Sequence, residues 1–398
     1  MEQISTVSVG HARAALIPLA VGVFAVGTEG LVFAGLLPAL ASDLGVSVGA
    51  AGQVTTVFAL AYALAAPALA VLSEAWPRRA TLLTGFALFT LGNVLSALAP
   101  SLGLLLCWRI VTAAGASLIT PTSTLVAATL TAPSRRARAI AAVMTGLTVA
   151  TAVGAPLGTL VGGALGWRAV IWSVTALGVV AAGAVSLGVP RLPGRPRRGL
   201  TERLTPLRVP AIRRILATTL IGFVAVYVFY AYVSVVYAPL TDDAGFLALI
   251  LLVIGVAGTA GNLLAGIIAD RHGARPVVTV ALLITAAGII AAGLASDRIS
   301  VLVTAAAYGI AAWSITGPQQ HRLLAADTGH TGLPVALNSS AIYLAIAIAG
   351  ALGGALTEVG PWALLAASAT AALLAATLSS RADKPATRTD AMGRSEPR

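Results

Sequence analysis

Long apolar runs broken by short polar stretches recur along the whole chain. A run of about 20 apolar residues is long enough to cross a bilayer core of ~30 Å as a helix. Twelve such runs can be placed, at 14–40, 48–72, 80–99, 102–130, 137–164, 167–188, 212–240, 244–269, 276–295, 299–325, 333–357 and 360–379. Periodicity within them is weak, as expected for helices that are apolar nearly all round. The pattern predicts an all-α polytopic membrane protein of twelve transmembrane helices.

One run departs from plain apolarity through its glycines. In Gly146–Arg168, Gly154, Gly158 and Gly162 recur every four residues and share one helical face. Such a stripe lets helix backbones approach closely in lipid. Pro156 lies within it, removes a backbone donor and predicts a kink. A shift of 196 residues lays Gly154, Ala155 and Gly158 onto Gly350, Ala351 and Gly354. The same shift lays AVLSEAWPRR (Ala70–Arg79) onto GIIADRHGAR (Gly266–Arg275), with Glu74 on Asp270 and Arg79 on Arg275. Two features at one offset of about half the chain point to two six-helix pseudo-repeats. Parallel repeats of this kind build many secondary transporters.

The polar positions orient the spans. With the N-terminus inside, 22 basic residues fall on one side, and only Arg168 and Arg298 fall on the other. By the positive-inside rule both termini are cytoplasmic. The domains expected are an N-terminal bundle over 1–189, a cytoplasmic Arg/Pro-rich linker over 190–211, a C-terminal bundle over 212–380 and a disordered tail over 381–398. The first span has no separate charged region and cleavage site before it, and is expected to stay as a membrane helix.

Composition then narrows the function classes. The 398 residues are 58% hydrophobic and 10% charged, with a mean hydropathy of +0.93. These values describe a chain dissolved mainly in lipid. The net charge of +11 sits in short loops with no basic face interleaved with aromatics, which argues against nucleic acid. A single cysteine, Cys107, excludes a disulfide framework. A polytopic membrane enzyme would need acid or His clusters for metal and phosphate chemistry. Asp242-Asp243 is the one adjacent acid pair, and His11, His272, His321 and His330 are scattered. GxxxxGK[ST] is absent, which argues against nucleotide drive. A receptor or sensor would ask for an appended signalling domain, and none is evident.

Two ionisable residues lie well inside the spans: Glu29 in the first and Arg109 in the fourth. A charge at the bilayer centre costs ~2.5–3.5 kcal/mol on insertion scales, so its default reading is functional. At 1.5 Å per residue, Glu29 is roughly 16 Å and Arg109 roughly 12 Å from the outer ends of their helices. Those depths allow the two to meet, either as a lock between helices or as a site whose proton affinity changes with conformation. Asp43 and Glu358 lie at span ends, where solvation explains them.

The loop GIIADRHGAR resembles the G-x-L-a-D-r-x-G-r-r loop of the major facilitator superfamily, and the chain from Leu16 to about Ser380 resembles its twelve-span drug–proton antiporters. AVLSEAWPRR is a degenerate copy, with Glu74 for Asp and Pro77 for Gly. GTEGLVFAGLLPALASDLGVSVGAAGQ and GAPLGTLVGGALGWR resemble the arabinose-efflux and chloramphenicol-exporter branch. The antiporter motif there is usually Gly-Pro, and here Ala155 precedes Pro156. Ala113 stands where the arginine motif of the fourth helix usually has glycine. The resemblance implies gating roles for Glu74, Arg78, Arg79, Asp270, Arg271, Gly273 and Arg275. It assigns Gly146, Gly154, Pro156, Gly158 and Gly162 to the antiporter helix and Arg109 to the arginine motif, and the depth of Glu29 and Arg109 on cavity-lining helices makes them the proton-coupling candidates. A substrate cavity between helices one, four, seven and ten would be lined by Phe33, Tyr227, Tyr230, Trp313 and Gln319, with Tyr232 a further candidate. The function implied is alternating-access export of a small, largely apolar compound, such as an antibiotic of the chloramphenicol kind, in exchange for protons. The alternatives are a sugar or metabolite exporter and a proton-coupled importer. No cofactor is expected. The partners expected are the substrate, protons and the lipid of a bacterial inner membrane, with the protein monomeric.

Overall fold

In lipid a backbone must satisfy its own polar groups, so twelve apolar runs have one local solution, the helix. The computed structural model describes residues 9–132, 136–194, 205–241, 243–326 and 333–381. Asp242, His330, linker residues 195–204 and tail residues 382–398 lie outside the described residues. Among the described residues every regular element is helical, and eleven helices can cross a membrane by length and apolarity, with a bent pair making the twelfth.

We number the spans α1 to α12. Four are interrupted: α1 (Val9–Leu31, then Phe33–Leu44), α5 (Arg136–Val149, Ala150–Gly154, then Ala155–Leu165), α7 (Pro210–Ala231, then Val233–Val236) and α10 (Arg298–Trp313, then Thr316–Ala326). The others are α2 (Val48–Leu72), α3 (Arg78–Ala97), α4 (Leu102–Thr129), α6 (Trp167–Gly188), α8 (Ala244–His272), α9 (Ala274–Ala292), α11 (Leu333–Leu356) and α12 (Pro361–Ser380).

The packing repeats between halves. α1 lies on α5 and α6 as α7 lies on α11 and α12, α3 meets α6 as α9 meets α12, and α2 meets α4 as α8 meets α10. The halves meet along two seams, α2 with α11 and α5 with α8. One end of the bundle carries the arginine-containing α2–α3 and α8–α9 loops, and the opposite end carries Asp43 and Arg168. We call these the Arg-rich and Arg-poor ends.

The interruptions go beyond the one kink expected at Pro156. α1 bends by 52° at Val32. Pro38 follows the bend by less than two turns, and its ring crowds the Ala34 carbonyl and cannot supply that carbonyl's helical N–H donor. α10 breaks at Ser314, where Gly317-Pro318 follows and Pro318 cannot donate back to the Ser314 carbonyl. In α5 the irregularity expected at Pro156 is a π-helical turn over Ala150–Gly154, immediately before it. α7 breaks at Tyr232, whose hydroxyl donates to the Gly350 carbonyl of α11 at 2.7 Å.

Candidate functional site

Glu29 sits one turn before the bend of α1, and Arg109 sits two turns into α4. Both are closed off from solvent, at 0% and 1% exposure. Arg109 Nη1 donates to Glu29 Oε1, so the two depths estimated from sequence do bring the charges together. Arg109 Nε makes a long 3.4 Å bond to the Val54 carbonyl of α2. Its guanidinium carbon lies 4.5 Å from the Phe33 ring centroid and 4.4 Å from that of Phe58, within cation–π range. Opposite charge, ring faces and a carbonyl thus replace the hydration that burial removes. Glu29 Oε2 is buried with no hydrogen-bond partner. One carboxylate oxygen is committed to the cation while the other has its lone pairs open.

An aromatic wall runs beside this pair and crosses between halves. Phe58 leads to Tyr62 on α2, and Tyr62 stacks on Tyr343 of α11 with centroids 3.6 Å apart. On α7, Tyr227 packs edge-on to Tyr230, and Tyr230 packs edge-on to Trp313 of α10 at 5.7 Å. Tyr227, Trp313 and Tyr343 are partly exposed, whereas Tyr230 is buried with no partner for its hydroxyl. Sequence reasoning missed Tyr62 and Tyr343. The i, i+4 spacing of Phe58 and Tyr62 places both on one helix face, which is a signal, but their partner on α11 is almost 300 residues away.

Two residues expected in the cavity wall are occupied otherwise. Phe33, 1% exposed, lies on the Arg109 guanidinium. Gln319 is fully buried, its Nε2 donating to the Ile215 carbonyl and Thr219 Oγ1 while its Oε1 accepts from Arg322. Thr219 in turn donates to Asn338 of α11. Tyr232 fills the notch between Gly52 of α2 and Gly353 of α11, so it belongs to the seam.

The glycine stripe packs against α1. A Cβ at Gly154, Gly158 or Gly162 would overlap the side chains of Thr28, Val32 and Leu36, which also advance by four residues. This corrects the expectation of backbone contact at these three positions. Backbone contact occurs at Gly146, against the Ala20 carbonyl. Pro156 lies in the first turn of the third segment of α5, which crosses α8 at Gly163 and Ala244.

The duplicated loops use their arginines alike. Arg79 donates to the Ser186 carbonyl near the end of α6, and Arg275 Nε donates to the Ser379 carbonyl near the end of α12, at 3.1 Å. Each thereby meets the negative end of the last helix of its own half. Arg78 is buried, and its backbone N–H donates to the Leu192 carbonyl at 2.9 Å. Glu74 is half-buried, and Asp270 and Arg271 are exposed. Gly273 has φ 85°, a conformation that favours glycine, whereas Pro77 at the equivalent place has φ −55°. The degenerate first loop therefore turns by a different backbone route.

The Major Facilitator Superfamily profile matches residues 19–261 and 219–397. The inner membrane transport protein YdhP of Escherichia coli (strain K12) is 31% identical over 346 residues, covering 87% of this chain and 89% of that protein. A chloramphenicol resistance protein of Streptomyces lividans is 35% identical over 294 residues, covering 72% and 74%. The crystal structure of a D-xylose-proton symporter superposes with a TM-score of 0.76 over 93% of this chain and 97% of that one, a likeness of fold at 19% identity.

Proposed function

The chain belongs to the Major Facilitator Superfamily, and from that premise we propose that it exports a small, largely apolar organic compound in exchange for protons. The observation that carries this reading is the buried Glu29–Arg109 pair, with one carboxylate oxygen unpartnered, set beside the aromatic wall. In the reading, Glu29 binds the coupling proton at that open oxygen, and Arg109 sets its affinity. Protonation weakens the hold on Arg109, which rests on Phe33 of α1 and Phe58 of α2. Tyr227, Trp313 and Tyr343 form the face against which the compound lies, with Tyr230 beneath them. A ring-rich wall with few polar groups suits an amphipathic compound, and chloramphenicol is the first candidate to test. A sugar would ask for denser hydrogen bonding than this wall offers.

The same reading puts the protein in a bacterial cell membrane as a monomer that needs no cofactor. The Arg-rich end and both termini face the cytoplasm. The bundles over 1–189 and 212–380 rock about the α2–α11 and α5–α8 seams to give alternating access, and the loop residues from Glu74 to Arg79 and from Asp270 to Arg275 gate the cytoplasmic end. The test is chloramphenicol accumulation in an efflux-deficient bacterial host expressing the protein. Lower accumulation, reversed by a protonophore, is expected. Unchanged accumulation of chloramphenicol and of a wider antibiotic set would overturn the export reading.

A further inference from the structure

Tyr232 ends the first segment of α7 and is fully buried, its ring seated between helices from different halves. Gly52 of α2 lies on one side and Gly353 of α11 on the other, and a Cβ on either would overlap the ring or its hydroxyl. The hydroxyl donates to the Gly350 carbonyl at 2.7 Å. Gly49 of α2 meets Gly354 and Thr357 of α11 nearer the Arg-poor end, and Thr56 of α2 meets Gly350 one turn deeper. The Arg-poor half of the α2–α11 seam is thus shut around Tyr232. Toward the Arg-rich end the packing loosens, and α2 has no buried residue from Leu64 to Leu72.

The repeat marks this tyrosine as the unusual member of its pair. The 196-residue offset places Tyr232 on Leu36, which follows the bend of α1. Leu36 is seated against Gly162 of α5, in its own half, whereas Tyr232 is seated by a glycine from each half. Tyr232 is also tied to the aromatic wall through its own backbone. Tyr230, two residues earlier, packs edge-on to Tyr227 and Trp313. Beyond it, the Val235 and Val236 amides both donate to the Tyr232 carbonyl, at 2.9 and 3.0 Å, so the short helix Val233–Val236 turns with this residue. A compound lying on Tyr227 and Trp313 presses on Tyr230, and so on the end of α7. A hydroxyl 2.7 Å from its acceptor loses that bond after a shift of about 1 Å.

We infer that Tyr232 is a positioning residue, a latch that holds the Arg-poor end shut and is withdrawn when a compound on the aromatic wall displaces the end of α7. The inference rests on the export reading and gives it a trigger, because the Arg-poor end then opens after loading.

Ser42 of α1 and Val359, just after α11, are exposed at the Arg-poor end, one in each half. Ser42→Cys and Val359→Cys, in a Cys107→Ser background, carry nitroxide labels on the full chain in lipid nanodiscs, and double electron–electron resonance reads the distance between them. Tyr232→Phe keeps the ring and loses the hydroxyl, and loss of one such bond should raise the ratio of long to short distances roughly threefold to tenfold. Gly52→Ala, whose methyl strikes the hydroxyl, should shift the ratio in the same direction with Tyr232 unchanged. Chloramphenicol should lengthen the wild-type distances, and by less in Tyr232→Phe, a difference that a merely structural role would not produce. Unchanged distances in both variants overturn the latch and leave the export reading standing. An undiminished chloramphenicol effect in Tyr232→Phe overturns the link to the wall. If chloramphenicol is not transported and does not change the wild-type distances, the export reading fails for it, and the compound-free distances still decide the latch.

Discussion

Burying Glu29 and Arg109 removes the hydration of both charges, and their mutual attraction compensates only while both are present. Losing one partner of such a pair costs ~3–5 kcal/mol. Arg109→Ala is therefore expected to lower the thermal midpoint of the detergent-solubilised protein sharply. Glu29→Gln keeps the shape and an acceptor for the guanidinium, so its loss should be smaller. Arg109→Lys is not a conservative change here, because an ammonium cannot lie flat between Phe33 and Phe58 while pairing with Glu29. Stability and coupling separate in the double variant Glu29→Leu/Arg109→Leu. With both charges gone no orphan remains, so stability should recover beyond that of Arg109→Ala, yet uphill efflux in proteoliposomes under an imposed pH gradient should stay absent. Glu29→Gln should likewise abolish uphill efflux and substrate-induced proton release. Wild-type proton release from Glu29→Gln would reduce the pair to a lock between α1 and α4. The two charges were legible in the sequence because an ionisable residue deep in an apolar run stands out. Their contact was only permitted by estimated depth, and the ring faces of Phe33 and Phe58 carried no distinguishing mark.

At the scale of the helix, α5 and α1 interlock through steps of four residues, with Gly154, Gly158 and Gly162 over Thr28, Val32 and Leu36. Leucine at Gly158 would collide with Val32, the residue at which α1 bends. Overpacking of this kind costs ~1–3 kcal/mol, and here it would also change the bend that follows Glu29. Gly158→Leu is expected to reach the membrane yet lose efflux, and wild-type efflux at equal expression would count against the interlock. Gly158→Ala should be milder than leucine yet still costly, because even its Cβ would overlap Val32 Cγ2, on a buried β-branched side chain that cannot swing aside. The spans were readable because length and apolarity suffice to define them in lipid. Their interruptions were not, because each depends on a partner elsewhere. Pro38 and Gly317-Pro318 were visible in the sequence, but Tyr232 breaks α7 where it reaches the Gly350 carbonyl of α11. The aromatic wall divides in the same way. Tyr227, Tyr230 and Trp313 follow from the expected helices, whereas Tyr62 and Tyr343 meet only through the pairing of two halves.

At the scale of the molecule, the 196-residue offset reappears as geometry. Arg79 and Arg275 each reach a carbonyl near the end of the last helix in their own half, and the two seams exchange with each other when the halves are exchanged. The 22-to-2 split of basic residues predicts which way this assembly lies. Reporter fusions after Arg198 and after Arg388 should report the cytoplasm, and one after Asp243 the exterior. An exterior signal from the central linker would overturn that orientation. The seams also predict how the halves must move. Gly163 of α5 lies against Ala244 of α8 at the Arg-poor end, and a Cβ on Gly163 would stand 2.5 Å from that of Ala244. A disulfide needs Cβ atoms ~3.8 Å apart, so a small separation of the helices accommodates one. In a Cys107→Ser background, Gly163→Cys with Ala244→Cys is expected to cross-link under mild oxidation and to stop chloramphenicol efflux, with recovery on reduction. Binding from the Arg-rich side should survive, because the aromatic wall is already formed in this closed arrangement. Full efflux by the cross-linked protein would mean that the α5–α8 seam stays shut throughout the cycle, and that the halves do not part there.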